Sequence, residues 1–155
     1  MRLWLGFLII IAAAIGLAWY GAGSLRPEVT ATGLEFTTVK AGTGAPIGGE
    51  DAALLDYILT MDGAVVDGSD KHGGAQPFSP SMPGLFPGFA EAMAKMQEGG
   101  QYRFTMPQSL AFPDGAPPGF PKGPLTFEVQ VQKIVRGGAA MLRQGAAGAA
   151  PQPQQ

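Results

Sequence analysis

Four stretches of the chain alternate apolar and polar side chains with a period of two. Leu34, Phe36 and Thr38 alternate with Glu35 and Thr37, and Leu55, Tyr57, Leu59 and Met61 share one face of a second stretch. Tyr102, Phe104 and Met106 line a third. Leu125, Phe127, Val129 and Val131 line a fourth, against Thr126, Glu128, Gln130 and Gln132. Successive side chains of a strand point to opposite faces, so this pattern predicts half-buried antiparallel strands, each with one dry face. Asp62-Gly63, directly after the second stretch, predicts a tight turn. The period changes between the second and third stretches. Phe89, Met93 and Met96 fall at helical spacing, Glu91 stands four before Lys95, and Gly99-Gly100 supplies a stop. One short helix can bury one face. The economical arrangement is an α+β domain, a curled antiparallel sheet of four to six strands wrapped over one short helix.

The two ends of the chain follow other patterns. Residues 3–20 are almost continuously apolar, with Arg2 ahead and Arg26 beyond, and lack the polar stripe of an ordinary core helix. Such a segment enters a membrane. Trp19-Tyr20 suits an interfacial belt and a retained anchor, whereas Gly21-Ala22-Gly23-Ser24 suits a cleaved signal, and both readings stay open. The positive charge ahead of the run keeps the N-terminus cytoplasmic. The domain is then expected on the non-cytoplasmic side, either anchored or exported after cleavage. The organisation expected is a membrane anchor or signal peptide over residues 1–24, a connector over 25–32, a folded domain over 33–136, and a tail over 137–155. The tail is rich in Ala, Gly, Pro and Gln and has few large apolar residues to offset its ordering entropy, so it is expected to be disordered.

Composition removes several functional classes. A chain of 155 residues that is 46% apolar can build one core, and its 24 glycines and 14 prolines are spread among strand-like runs, as in a loop-rich folded domain. With a net charge of -2 and ten scattered basic residues there is no stripe to neutralise a phosphate backbone, so no nucleic-acid partner is expected. The absence of cysteine excludes disulfides, thiol nucleophiles and thiolate metal sites. The lone histidine, His72, follows Asp67 and Asp70 in a polar stretch that reads as a solvated loop, with too few oxygen ligands for a cation. No serine elbow supports a hydrolase triad. Gly42, Gly44, Gly48 and Gly49 lack the lysine of a phosphate loop and read as a turn-rich connection. No cofactor or metal is called for.

What remains is a set of aromatic residues on separate elements: Tyr57, Phe78, Phe86, Phe89, Phe112, Phe120 and Phe127. Any one alone reads as core. As a set, with the motifs around them, they resemble the FKBP family over most of residues 34–135. Asp56-Tyr57 with Asp62-Gly63-Ala64-Val65-Val66-Asp67-Gly68-Ser69 is similar to that family's tyrosine strand, turn and aspartate-bearing segment. Pro77-Phe78, Pro87-Gly88-Phe89-Ala90-Glu91-Ala92-Met93, Met96-Gln97-Glu98-Gly99-Gly100, Thr105-Met106-Pro107 with Leu110-Ala111-Phe112, and Leu125-Thr126-Phe127-Glu128-Val129 follow in the family's order.

The resemblance implies peptidyl-prolyl cis-trans isomerisation of proline-containing polypeptides, assistance to the folding of exported or envelope proteins, and macrolide inhibitors as ligands. It implies Phe89 as the floor beneath a substrate proline, Tyr57, Phe78, Phe86, Phe112 and Phe127 as walls, and Asp67 at the rim. Leu85 and Phe86 would offer backbone groups to an extended peptide, Phe120 would present a ring from the flap, and Val66 would line the site. Three positions depart from the family's pattern. Val66 replaces the usual aromatic, Phe112 lacks the usual hydroxyl, and Phe89 replaces an indole. A non-catalytic peptide-binding or chaperone module of the same fold is the alternative these departures raise.

Overall fold

Each alternating stretch forms a strand. The long strands are β2 (Glu35–Lys40), β3 (Ala52–Met61), β6 (Gln101–Met106) and β7 (Leu125–Val135). The shorter β1 (Glu28–Val29), β4 (Ala64–Gly68) and β5 (Gln76–Phe78) join them in a seven-stranded antiparallel sheet among the described residues. The computed structural model describes residues 26–148, with side chains through residue 145. The apolar run at residues 3–20 lies outside the described residues. Among those described, no helix is long and apolar enough to cross a membrane.

The strand order is β1-β2-β6-β7-β3-β4, with β5 also paired to β3. Its register places Phe36, Phe104, Phe127 and Leu59 in one row across four strands, each opposite the next and each buried. Directly opposed residues share a face, so one row of large apolar side chains becomes one stripe of core. The Phe104 and Phe127 rings stack at 5.2 Å. The turn joining β3 to β4 has Asp62 at φ 51° and Gly63 at φ 76°. Both central residues are left-handed, as tight hairpins require, which is why Asp-Gly occurs there.

Helix α1 (Pro87–Met93) lays Phe89, Ala92 and Met93 against the inner face of the sheet. Pro87 at its first turn presets the helical φ and gives up an N–H that would have had no partner. The helix ends at Met93, earlier than the Gly99-Gly100 stop. The chain tightens there, with Lys95 N–H donating to the Ala92 carbonyl and Met96 N–H to that of Met93. This carries the next residues toward the connection before β3, where Thr43 N–H donates to the Glu98 carbonyl at 2.9 Å. A Cβ on Gly42 would lie 2.5 Å from that carbonyl oxygen, so this glycine serves close backbone approach. Helix α2 (Gln108–Ala111) is a single turn after Pro107.

Three details add to the expected picture. The sheet has more strands than four to six, because β1 and β5 are too short to display alternation. The connector over 25–32 contains β1 and a turn closed by Thr30 N–H donating to the Leu34 carbonyl at 2.9 Å. The segment expected to be a disordered tail begins with helix α3 (Ala139–Gly148). Alanine is the strongest helix former, and large apolar residues are not needed when the first turn is pinned. Ala139 is 1% exposed, its N–H donates to the Glu50 carbonyl at 3.1 Å, and Arg143 pairs with the Glu50 carboxylate at 2.8 Å.

Candidate active site

The site begins with an interruption in the sheet. β4 pairs with Ile58–Met61 of β3 and β5 with Ala53–Leu55, along the same edge. Asp56 and Tyr57 fall in the gap. Opposite them the chain leaves the sheet as a 3-10 turn, Ser69–His72. Ser69, buried beneath this turn, fills the missing ladder position. It accepts the Tyr57 N–H at 3.2 Å and donates to Asp56 Oδ1 at 3.2 Å.

A bulge in β4 sets the next residues. Leu59 opposes Asp67 and Thr60 opposes Val65, leaving Val66 as the extra residue. A bulge re-aims side chains locally. Asp67 thereby comes to the inner face that Leu59 occupies, and half-buried Val66 packs against the core. The Tyr57 hydroxyl donates to Asp67 Oδ2 at 3.0 Å. Burial is the first cause that raises the phenol, and the Asp67 carboxylate adds to it, so the Tyr57 hydroxyl is pushed up to about 12. Burial also pushes the Asp67 carboxyl up. The Gly68 N–H, the Tyr57 hydroxyl and His72 outweigh it and hold Asp67 below its ordinary value.

The seven aromatic residues singled out in the sequence form one connected cluster. Phe89, 2% exposed, meets Phe78 at 5.3 Å and Phe127 edge-on at 5.0 Å. Tyr57 stands nearly perpendicular to Phe78 at 5.6 Å and lies 6.4 Å from Phe127. Phe86 reaches Phe127 at 6.4 Å and Phe112 at 5.1 Å, and Phe112 meets Phe120 edge-on at 4.7 Å. Edge-to-face pairs at these separations are the favourable ones. Phe89 and Phe127 are buried, while the other five rings are half-buried and form the accessible side. A groove of about 670 Å³ lies among Val39, Ile58, Val65, Arg103 and Glu128, and of the seven aromatic residues of the cluster it touches Tyr57 alone.

Leu85 and Phe86 take positions between β5 and α1, with part of their backbone already engaged. The Leu85 N–H donates to the Met82 carbonyl at 3.3 Å, and the Phe86 carbonyl accepts from Phe89 and Ala90 at 2.9 and 3.1 Å. Among the described residues no hydrogen bond engages the Phe86 N–H or the Leu85 carbonyl.

One contact of the site was not legible in the sequence. His72 is exposed, as expected of a loop residue, yet its Nε2 lies 3.1 Å from Asp67 Oδ1 and 3.3 Å from Oδ2. The pairing depends on the 3-10 turn that follows the bulge, and a single histidine in a polar stretch carries no periodic signal of it.

Comparison with known proteins gives this geometry a context. A family model described as FKBP-type peptidyl-prolyl cis-trans isomerase matches residues 46–132. The chain belongs to this family. It is 30% identical over 109 residues to the FKBP-type peptidyl-prolyl cis-trans isomerase FkpA of Escherichia coli strain K12, covering 69% of this chain and 40% of that protein. It is 32% identical over 127 residues to Outer membrane protein MIP of Legionella longbeachae, covering 78% of this chain and 53% of that protein. The chain thus spans about half the length of these FKBP relatives, or less. The crystal structure of Escherichia coli FkpA superimposes with a TM-score of 0.65 at 26% identity, over 81% of this chain and 59% of that one. The curled sheet over a short helix is the FKBP fold.

Proposed function

We propose that the chain accelerates cis-trans isomerisation of X-Pro peptide bonds. The observation that carries this reading is the connected aromatic cluster over buried Phe89 and Phe127, edged by a Tyr57 hydroxyl committed to Asp67. Rotation about a peptide bond is opposed by resonance, with a barrier of about 18 to 20 kcal/mol, and needs no acid, base or nucleophile. The twisted amide has less charge separation than the planar one, so an apolar surface favours the transition state over the ground state. An acceleration of about a thousandfold requires about 4 kcal/mol of such preference.

In this reading Phe89 is the floor beneath the proline, and Tyr57, Phe78, Phe86, Phe112 and Phe127 are the walls. Val66 and Phe120 complete the lining. The Phe86 N–H and the Leu85 carbonyl, which lack partners among the described residues, suit an extended peptide backbone. Asp67 orients Tyr57. Clients are exported or envelope polypeptides, a reading supported by the apolar residues 3–20 and by one relative's name, Outer membrane protein MIP. Sequencing the mature N-terminus separates anchor from cleaved signal.

A protease-coupled isomerisation assay on the chain tests the activity. Concentration-dependent acceleration of proline-peptide exchange is expected. A folded chain that binds the peptide without accelerating exchange would establish the non-catalytic binding module instead, the reading that Val66, Phe89 and Phe112 favour.

The same surface suits macrolide inhibitors, and Phe112 makes a sharp probe of it. Its half-buried ring lies against Phe86 and Phe120 and carries no donor for a ligand carbonyl. Phe112→Tyr is expected to add one hydrogen bond, about 0.5 to 1.5 kcal/mol, tightening a macrolide about two- to twelvefold. Calorimetric titration of both chains checks this. Unchanged affinity with intact folding would mean that residue 112 does not face the ligand.

A further inference from the structure

We propose that His72 is a positioning and specificity-determining residue. Its imidazole holds the Asp67 carboxylate at the rim of the aromatic cluster, and its charge sets how strongly that carboxylate repels an acidic residue next to the substrate proline. The inference rests on the isomerase reading of the same cluster.

The geometry is a two-sided grip. The Tyr57 hydroxyl holds Oδ2 from within, at 3.0 Å, while the His72 Nε2 straddles Oδ1 and Oδ2 from outside, at 3.1 and 3.3 Å. The loop that presents the imidazole is built for a fixed position. Gly74 N–H donates to the Ser69 carbonyl at 2.9 Å, and the Gln76 side-chain amide donates to the His72 and Gly74 carbonyls at 3.0 and 2.7 Å.

The charged and titratable neighbours come from three elements. On the turn itself, Asp70 precedes Lys71, whose ammonium donates to the Val66 carbonyl at 3.0 Å. β4 contributes Asp67. β3 contributes Tyr57 and Asp56, the latter bonded to Ser69 and Gln132, and β5 presents the uncharged Gln76. Among these side-chain types only imidazole ordinarily changes charge between about pH 5 and 8. Tyr57 is raised far above that window and Asp67 held below it. His72 is therefore the neighbour through which the charge beside Asp67 can be varied, and it is the one that touches both carboxylate oxygens.

With the His72 and Asp67 side chains 50% and 37% exposed, the pair contributes little to stability. Its effect falls on what approaches the rim. With imidazolium present the pair is neutral and a glutamate preceding proline is tolerated. With neutral imidazole Asp67 stands as an uncompensated anion. Glutamate is ionised throughout the window, so the peptide does not itself supply the change.

The test uses the 155-residue chain and two peptides differing only in Leu or Glu before proline. Both dissociation constants and kcat/KM are measured at about pH 5.5 and about pH 8. The Leu-over-Glu preference is expected to rise about two- to fivefold between these values, the range of one screened surface charge pair. His72→Arg should flatten the preference near its acidic value, and His72→Gln near its alkaline value, with unchanged melting temperatures in both. A preference that is flat in the parent chain, or that keeps its slope in His72→Gln, overturns the inference. Binding without turnover overturns the isomerase reading alone, and the ratio of dissociation constants still decides the role of His72. A folded chain that neither binds nor turns over either peptide overturns both.

Discussion

Phe89→Ala is expected to lower the free energy of unfolding by about 3 to 5 kcal/mol, a large share of the roughly 5 to 15 kcal/mol that a domain possesses. The ring is 2% exposed and meets Phe78, Phe104 and Phe127 at 5.3, 5.4 and 5.0 Å. Those neighbours belong to three strands of one sheet and cannot collapse together into the space left behind. The cost is then the lost transfer of the ring plus most of a cavity. Were Phe89 only an open floor for ligands, truncation would cost nearer 1 kcal/mol, in the ordinary range for a single substitution. Urea unfolding followed by circular dichroism distinguishes the two. A loss near the smaller figure would show that the sheet does not close over this ring.

The second large effect is far from the cluster, at Asp51. This carboxylate accepts the Gly48 N–H at 2.7 Å and the Gly137 N–H at 3.0 Å, and pairs with Arg136 at 2.6 Å. It joins the start of β3 to the end of β7. The Gly48 and Gly137 bonds hold its carboxyl below the ordinary value, with burial acting in the opposite direction. Asp51→Ala leaves two backbone donors without their acceptor and takes the carboxylate from a guanidinium that keeps the Pro46 and Ala45 carbonyls, at an expected cost of about 2 to 4 kcal/mol. The pH dependence has a definite sign. A folded value below the unfolded one means stability that is complete above about pH 4 and is lost as pH falls through the lowered folded value. The gap in melting temperature between the parent chain and Asp51→Asn should therefore narrow on acidification below about pH 4. A gap of constant size from neutral to acid would remove the carboxylate's charge from the account.

What could be read in the sequence was what repeats along it. The row of Phe36, Phe104, Phe127 and Leu59 follows from alternation in four stretches, and the Asp62-Gly63 hairpin from two residues that accept positive φ. β1 and β5 are too short to alternate. The seven rings carried no helical or strand period in common, yet the fold gathers them, and only their motifs in order pointed to that. α3 was hidden because its stability comes from Glu50, a residue distant in sequence. The Asp67–His72 contact was hidden because a bulge and a 3-10 turn make it, and neither alters the apolar pattern.

The position of β3 has a consequence for how the chain comes into being. β3 begins at Ala52, and the partner along nearly its whole length is β7, which begins at Leu125. While the polypeptide emerges from a ribosome, β3 has no such partner until almost the entire domain has been made. Pairings this distant in sequence close late and slowly. Completion of the sheet is thereby tied to the arrival of its final strand, so the domain closes only when nearly all of it has been made.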